Sequence, residues 1–293
     1  MELSRRDVML ATAAALSTGA GAASPPTAAE VIARIKAHVG IPWLDKTVDG
    51  VIAGNAATPV TGIVTTMMAT FDVLKAAVAA RKNMIITHEP TFWSHQDNVK
   101  DLLSDPLYLE KLDYIKRHDL VSFHFHHHWH GLKPIDGIAV GVMRQLGWEG
   151  YVDSANPKRF TLPPTTLENL AGELQTKLNA RPLRIVGDPR LPVTRALASW
   201  GYVGGNPGGI DLINSDTDVL IVGETWEWEL VEYAQDLVSA GRKKALIILG
   251  HVASEQWGMK YCAEWLKGFV PEVPIEFIPL VEPYWGLPSG ARR

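Results

Sequence analysis

The chain has one cysteine, Cys262, in 293 residues. An internal disulfide is therefore excluded, and so is any zinc site built on paired thiolates. A metal in this protein must be held by histidine, aspartate and glutamate. Basic clusters are also missing: 28 Lys and Arg stand against 32 Asp and Glu, for a formal net charge of −4. Nothing in the sequence could track a phosphate backbone, so no nucleic-acid partner is expected. The one apolar stretch near the N-terminus is too short and too small-chained for a membrane span, so no stable membrane insertion is expected. What remains is ordinary globular composition, 46% hydrophobic and 20% charged, with length for one large domain or two medium ones.

The N-terminal stretch reads as an export signal. Ser4, Arg5 and Arg6 precede an Ala-rich apolar run, and small residues follow around Ala20, Gly21 and Ala22. That order is the twin-arginine form, with cleavage expected after residues 1–22 and a periplasmic or secreted location for the mature chain. The twin-arginine route carries proteins that fold before export. It suits a chain that loads metal in the cytoplasm and needs no disulfide.

Beyond it, the pattern predicts alternating strands and helices. A helix starts near Thr27. "GIVTTMMA" is β-rich, "TFDVLKAAVAARKN" is helical, and "MIITHEP" is a buried strand stopped by Pro90. "DPLYLEKLDYIKRHD" predicts an amphipathic helix with Leu109, Leu112 and Ile115 on one side. "LVSFHFHHHWH" predicts a strand, and "DGIAVGVMRQLGW" a helix. The Pro-containing stretch near residues 153–166 reads as a boundary between a first half, 27–152, and a second, 153–293. The second half continues with "TLENLAGELQTKLN", "LRIVGD", "VTRALASWG", "DVLIVGE", "WELVEYAQDLVSAG", "KKALIILGH", "SEQWGMKYCAEWLKGF" and "PIEFIPL". The fold class is α/β.

Polar groups gather where apolar strands end: His88 and Glu89 after "MIIT", the histidine run after "LVSF", Glu224 in "DVLIVGE", and His251 after "ALIILG". In open α/β sheets, ligands sit off the carboxyl ends of strands. His251 and Glu255 are four apart at the start of a helix, which stacks them on one face. Five of the ten histidines fall within residues 124–130. Continued as a strand, this run puts Phe123, Phe125, His127 and Trp129 on one face, and His124, His126, His128 and His130 on the other. Close imidazoles repel when charged, and each needs a partner when buried neutral. A divalent cation answers both conditions. His124 and His127 are expected outside the ligand set.

With these residues in place, the chain resembles the Nif-three-like family of dinuclear metal-centre hexameric proteins, many of which carry the name GTP cyclohydrolase I type 2 homolog. The resemblance runs from about residue 27 to about 285. The family's SHHP signature corresponds to Thr87-His88-Glu89-Pro90, and AHTNLD to Phe125-His126-His127-His128-Trp129-His130. GDP corresponds to Gly187-Asp188-Pro189, and GHYxSE to Gly250-His251-Val252-Ala253-Ser254-Glu255. The resemblance implies two α/β halves with a dinuclear site in the cleft between them. It implies metal ligands at His88, Glu89, His130, His251 and Glu255. Glu89 stands where the family has His, and His130 where it has Asp, so the charge of the set is kept while its arrangement changes. One imidazole nitrogen binds one metal, so His130 cannot replace a bridging carboxylate. Trp228 stands near where many relatives have a further histidine.

The function implied is metal-dependent hydrolysis of a small molecule with two divalent ions, Zn, Mn, Fe or Ni. His126 or His128 would move the proton. The resemblance also implies a homohexamer. The alternatives are a non-catalytic metal-handling protein and ring hydrolysis of the GTP cyclohydrolase type.

Overall fold

A computed structural model describes residues 24–284; the export signal read over residues 1–22 lies outside them. The chain order is α1 (Ala28–His38), β1 (Gly50–Ala53), β2 (Ile63–Thr66), α2 (Phe71–Ala79), β3 (Met84–Thr87), α3 (Pro106–Arg117), β4 (Val121–His124), α4 (His127–His130) and α5 (Gly137–Leu146). It continues with β5 (Arg159–Thr166), α6 (Leu167–Leu178), β6 (Arg184–Val186), β7 (Pro192–Val203), α7 (Ile210–Asn214), β8 (Val219–Thr225), α8 (Glu232–Ser239), β9 (Ala245–Ile248), α9 (His251–Lys267) and β10 (Ile275–Phe277). Local chemistry sets many of the helix starts. Thr27 and Glu30 form a capping box on α1, while Thr70, Asp105, Asp136 and Thr166 cap α2, α3, α5 and α6.

The strands form two five-stranded sheets, in the orders β1-β4-β3-β2-β10 and β5-β7-β8-β9-β6. In the first sheet β10, β2, β3 and β4 run parallel, with β1 antiparallel at the edge. In the second, β7, β8 and β9 run parallel between antiparallel edges. Both sheets therefore collect the carboxyl ends of their inner strands on one side. Thr87 pairs with His124, and Val222 with Ile248, so His88 follows β3 next to the end of β4, and β8 ends next to β9.

The sheets are not independent. β10 lies beyond residue 152 yet completes the first sheet beside β2. α9 packs against β2 of one sheet and β7 and β8 of the other. The largest apolar cluster runs through both, from Ile63 and Phe123 to Leu174, Ile221 and Met259. α5 crosses α9 at Gly141 and Gly258, where a Cβ on Gly141 would stand 2.5 Å from the Gly258 Cα. Only the absence of side chains lets the two backbones approach so closely.

The stretch near residues 153–166 that reads as a boundary leads into β5, which belongs to the second sheet and whose Pro163 and Pro164 fall at a register shift on the sheet edge. Proline is tolerated there because no inner neighbour needs its missing N–H. Two local expectations are corrected. α3 turns Tyr108, Lys111 and Ile115 inward, while Leu109 stays 48% exposed. The helix is therefore rotated so that its lysine, rather than its leucine, lies inside. The histidine run is not one strand: β4 ends at His124, and His127–His130 form one helical turn. A period of two and a single helical turn cannot be told apart over so few residues when nearly every side chain is a ring. A long-range contact decides. Asp49, buried at the start of β1, accepts the backbone N–H groups of His126, His127 and His128 at 2.8, 2.9 and 2.9 Å.

Candidate metal centre

The strand ends and the start of α9 bring His88, Glu89, His130, His251 and Glu255 together, with His126 beside them. Glu255 is at the centre. Its Oε2 lies 3.0 Å from His251 Nε2 and 3.5 Å from His88 Nε2, and its Oε1 lies 3.9 Å from His130 Nε2. Glu89 Oε1 faces His251 Nε2 at 3.4 Å and His126 Nε2 at 3.5 Å, while Oε2 faces His95 Nδ1 at 3.5 Å. Gly201, at φ +70°, makes room for this: a Cβ there would stand 2.3 Å from Glu255 Oε1.

Two of the histidines share one arrangement. His251 Nδ1 is tied to Glu224 at 3.0 Å and His130 Nδ1 to Asp136 at 2.8 Å, and each presents Nε2 to the cluster. A carboxylate on the outer nitrogen fixes the tautomer and orientation of a metal-binding imidazole. Asp136 does this while also capping α5 through the N–H groups of Ile138 and Ala139.

The electrostatics fit a cation. Burial, followed by the neighbouring imidazoles of His130 and His126, pushes His88 well below the ordinary histidine value. Burial opposes charge on His251 too, but Glu224, Glu255 and Glu89 outweigh it and raise this ring to about 12. Glu89 is held far below the carboxylate range, because His126 and His251 outweigh its burial. His130 is raised, since Asp136 outweighs desolvation. In the metal-free protein the proton on His251 thus occupies a position suited to a positive ion among three carboxylates.

His88 supplies the test of fit. It is 0% exposed, and neither ring nitrogen has a hydrogen-bond partner. An unsatisfied buried polar group costs about 1–3 kcal/mol. A cation bound at the ring would remove that cost. Its donor atoms group with His126 and His130, and with Glu89 and Glu255, each set lying within 4.8 Å. A further set, His95, His126 and His127, lies toward the surface.

His128 does not line this site. Its ring is buried and stacked on Trp43 at 3.6 Å; Nδ1 faces Asp49 at 2.5 Å, and Nε2 accepts the Leu44 N–H at 2.9 Å. With both nitrogens engaged away from the cavity it cannot move a substrate proton, and the expectation that it could is corrected. His124 is likewise engaged, between Asp97 at 2.7 Å and the His88 carbonyl at 3.0 Å. His127 faces Thr47 at 3.1 Å. Trp228, 72% exposed and stacked on Trp226, stands outside the cavity.

The sequence reading missed His95, Asp136 and Asp49; it marked Glu224 at a strand end but left it out of the ligand set. His95 lies seven residues after His88 in a stretch rich in turns, where no periodicity marks a side chain's direction. A cavity of about 780 Å³ opens above the cluster, lined by Glu89, His95, His126, His130, His251 and Glu255 and by Trp93, Trp200 and Tyr202. That is within the range of small-molecule sites.

The arrangement defines a class: an α/β protein of two sheets with histidine and carboxylate donors at their strand ends, able to hold a metal ion. Comparison with known proteins then gives the family. The chain belongs to the Duf34/NIF3 (NGG1p interacting factor 3) family, which matches residues 27–282. It is 26% identical over 221 residues to a GTP cyclohydrolase 1 type 2 homolog of Pseudomonas aeruginosa, covering 70% of this chain and 78% of that protein. A protein of the same name from Vibrio cholerae is 24% identical over 213 residues, covering 70% and 79%. Among solved structures, a Staphylococcus aureus hypothetical protein superposes with a TM-score of 0.69 at 17% identity, covering 90% of this chain and 100% of its own. A Bacillus cereus protein related to NIF3 gives 0.69 at 14% identity, covering 89% and 99%. These likenesses show the fold. No helix among the described residues is long and apolar enough to cross a membrane.

Proposed function

We propose that this chain is a metal-dependent hydrolase of a small molecule, holding two divalent ions between His88, Glu89, His130, His251 and Glu255. The observation that carries this reading is His88, buried without a hydrogen bond on either ring nitrogen beside two carboxylates at an open cavity. Glu255 would hold metal through either oxygen, because Oε2 faces His88 and Oε1 faces His130. Zinc, manganese, iron and nickel all match the donor types. When bound, such ions lower the pKa of a water and polarise the bond it attacks.

The chain's own residues do the rest. Asp136 and Glu224 keep His130 and His251 turned inward. His126 lines the cavity with Nε2 beside Glu89, where it can take up and return a proton. The test is elemental analysis of untagged protein, followed by a screen of the metal-loaded chain against phosphate esters, nucleotides and cyclic amides. A metal content near zero after reconstitution with zinc and manganese would sink the reading.

Two other readings stay in play. Ring hydrolysis of the kind named for the Pseudomonas and Vibrio relatives is one, and the nucleotide arm of the screen addresses it. Metal handling without catalysis is favoured by the outer set His95, His126 and His127, and is tested by whether bound metal transfers to a chelator without turnover. The hexameric resemblance extends the proposal to a homohexamer, measured by light scattering.

Zinc uptake should release protons. In metal-free protein the raised His251 holds its Nε2 proton at any pH below about 12. A metal at that nitrogen displaces it, so affinity should rise about tenfold per pH unit from this ring alone. The sign follows from the raised pKa. The protonated ring also stabilises the metal-free fold fully below the ordinary value of 6.5, and this contribution is lost progressively as the pH rises from there through about 12. Calorimetry in buffers of different ionisation enthalpy counts the protons, and a count near zero contradicts the assignment.

Export is a further proposal. Changing Arg5 and Arg6 together to lysine should leave unprocessed precursor in the cytoplasm. Mature protein of the double variant in the periplasm would refute it. A cytoplasmic location would also put nucleotide substrates on an equal footing with the rest.

A further inference from the structure

The cavity wall includes residues outside the metal-donor set. α3 presents Leu107 and Lys111, one turn apart, and both line the cavity beside Trp93. Lys111 is 3% exposed. Its Nζ donates one hydrogen bond, 2.5 Å long, to the Thr91 carbonyl. It lies 5.5 Å from the centre of the Phe92 ring and 5.0 Å from that of Trp93. An ammonium has three donors, so this bond leaves two unaccounted for.

Among the described residues no carboxylate comes within ion-pair distance of Nζ. Asp97, the acid whose field reaches it, is engaged by His124 at 2.7 Å. Lys111 is therefore a buried cation without an ion-pair partner, held by one carbonyl and two ring faces, a costly arrangement unless something completes it. Burial draws its pKa down to about 8, with Asp97 opposing the shift.

Two apolar side chains beside it are left about half exposed. Trp93 is 53% exposed and Leu107 49% exposed, though both are apolar and both line the cavity. Trp93 has φ +56°, a left-handed conformation that is strained for so bulky a residue. Strain of this kind collects at ligand sites. Lys111 is the only lysine or arginine lining the cavity among the described residues. One ammonium matches a single negative charge better than it matches a polyphosphate.

We propose that this part of the cavity wall binds the carboxylate of a small organic acid, with Lys111 Nζ taking the carboxylate and Trp93 and Leu107 covering an apolar or aromatic body. The inference deepens the hydrolase reading and rests on it for the reacting end alone. It makes Lys111 a specificity-determining residue rather than a catalytic one.

The test compares 2-naphthylacetate with its uncharged amide, 2-naphthylacetamide, by equilibrium calorimetry on zinc-loaded full-length mature protein. Wild type should bind the carboxylate at least about tenfold more tightly than the amide, as a charge-assisted hydrogen bond requires. In Lys111→Met the ratio should fall to about one, with the amide still bound and the zinc content unchanged. Trp93→Ala should weaken both probes alike. A wild-type ratio near one overturns the inference, as does failure of both probes to bind. A ratio that persists in Lys111→Met also overturns it, because the metals would then be holding the carboxylate. The comparison in wild type needs no variant to fold. Binding is read without turnover, so a chain that binds as expected and hydrolyses nothing refutes the hydrolase reading alone.

Discussion

Glu255→Ala should lose metal affinity by about 100-fold or more, and any hydrolytic activity with it. Removing an outer partner of a metal ligand typically costs 10–100-fold, and a buried carboxylate that faces three of the candidate imidazole ligands should stand at or beyond the top of that range. Glu255 is 2% exposed and faces His88, His130 and His251 at once, so its loss leaves three imidazoles facing one another without the charge that gathered them. His130→Ala should follow the same direction. His127→Ala should retain the inner metal, because its Nδ1 faces Thr47 and it belongs to the outer set. The measurement is metal content by elemental analysis after equal dialysis. Equal retention in Glu255→Ala, His130→Ala and His127→Ala would mean that the metal sits elsewhere.

Asp49→Ala should destabilise the fold by about 3–5 kcal/mol, the cost of removing one member of a buried charged network. The Asp49 side chain is 0% exposed. It accepts three backbone N–H groups and faces His128 Nδ1, so alanine leaves four donors without an acceptor. The effect should reach the site, since those donors set the turn that aims His126 and His130. Burial raises the pKa of Asp49, but the His128 and His126 donors outweigh it, so the folded value lies below the ordinary 3.8. A depressed carboxylate stabilises fully above its unfolded value, and that contribution is lost as the pH falls through the folded one. The gap between wild type and variant should therefore be wide near neutral pH and shrink below about pH 4. Urea denaturation across that range measures it, and a gap below about 1 kcal/mol at neutral pH would remove Asp49 from the role described here.

Sequence by itself determined the pieces that depend on near neighbours. "MIIT", "DVLIVG" and "ALII" are short apolar runs that only buried strands accommodate, and they are β3, β8 and β9. Threonine and aspartate caps placed the starts of α1, α2 and α5. His88, Glu89 and His251 could be singled out because each stands just after the end of such a strand, and parallel sheets gather those ends; Glu255 followed from its i,i+4 spacing to His251 at the start of α9. Tertiary structure alone decided what sequence-distant partners control. Asp49 turned the histidine run from a strand into a helical turn across 77 to 79 residues, and so separated His126, facing the cavity, from His128, buried against Trp43. Isolated polar residues carry no periodic signal, so nothing in their own neighbourhoods marked Asp136 and His95 as belonging with the metal donors, and the strand end that marked Glu224 did not show that it would hold His251. Lys111 shows the same limit from the other side. A helical period says that one face of α3 is buried, but only packing against Thr91, Phe92 and Trp93 decided that the buried face would carry a charge.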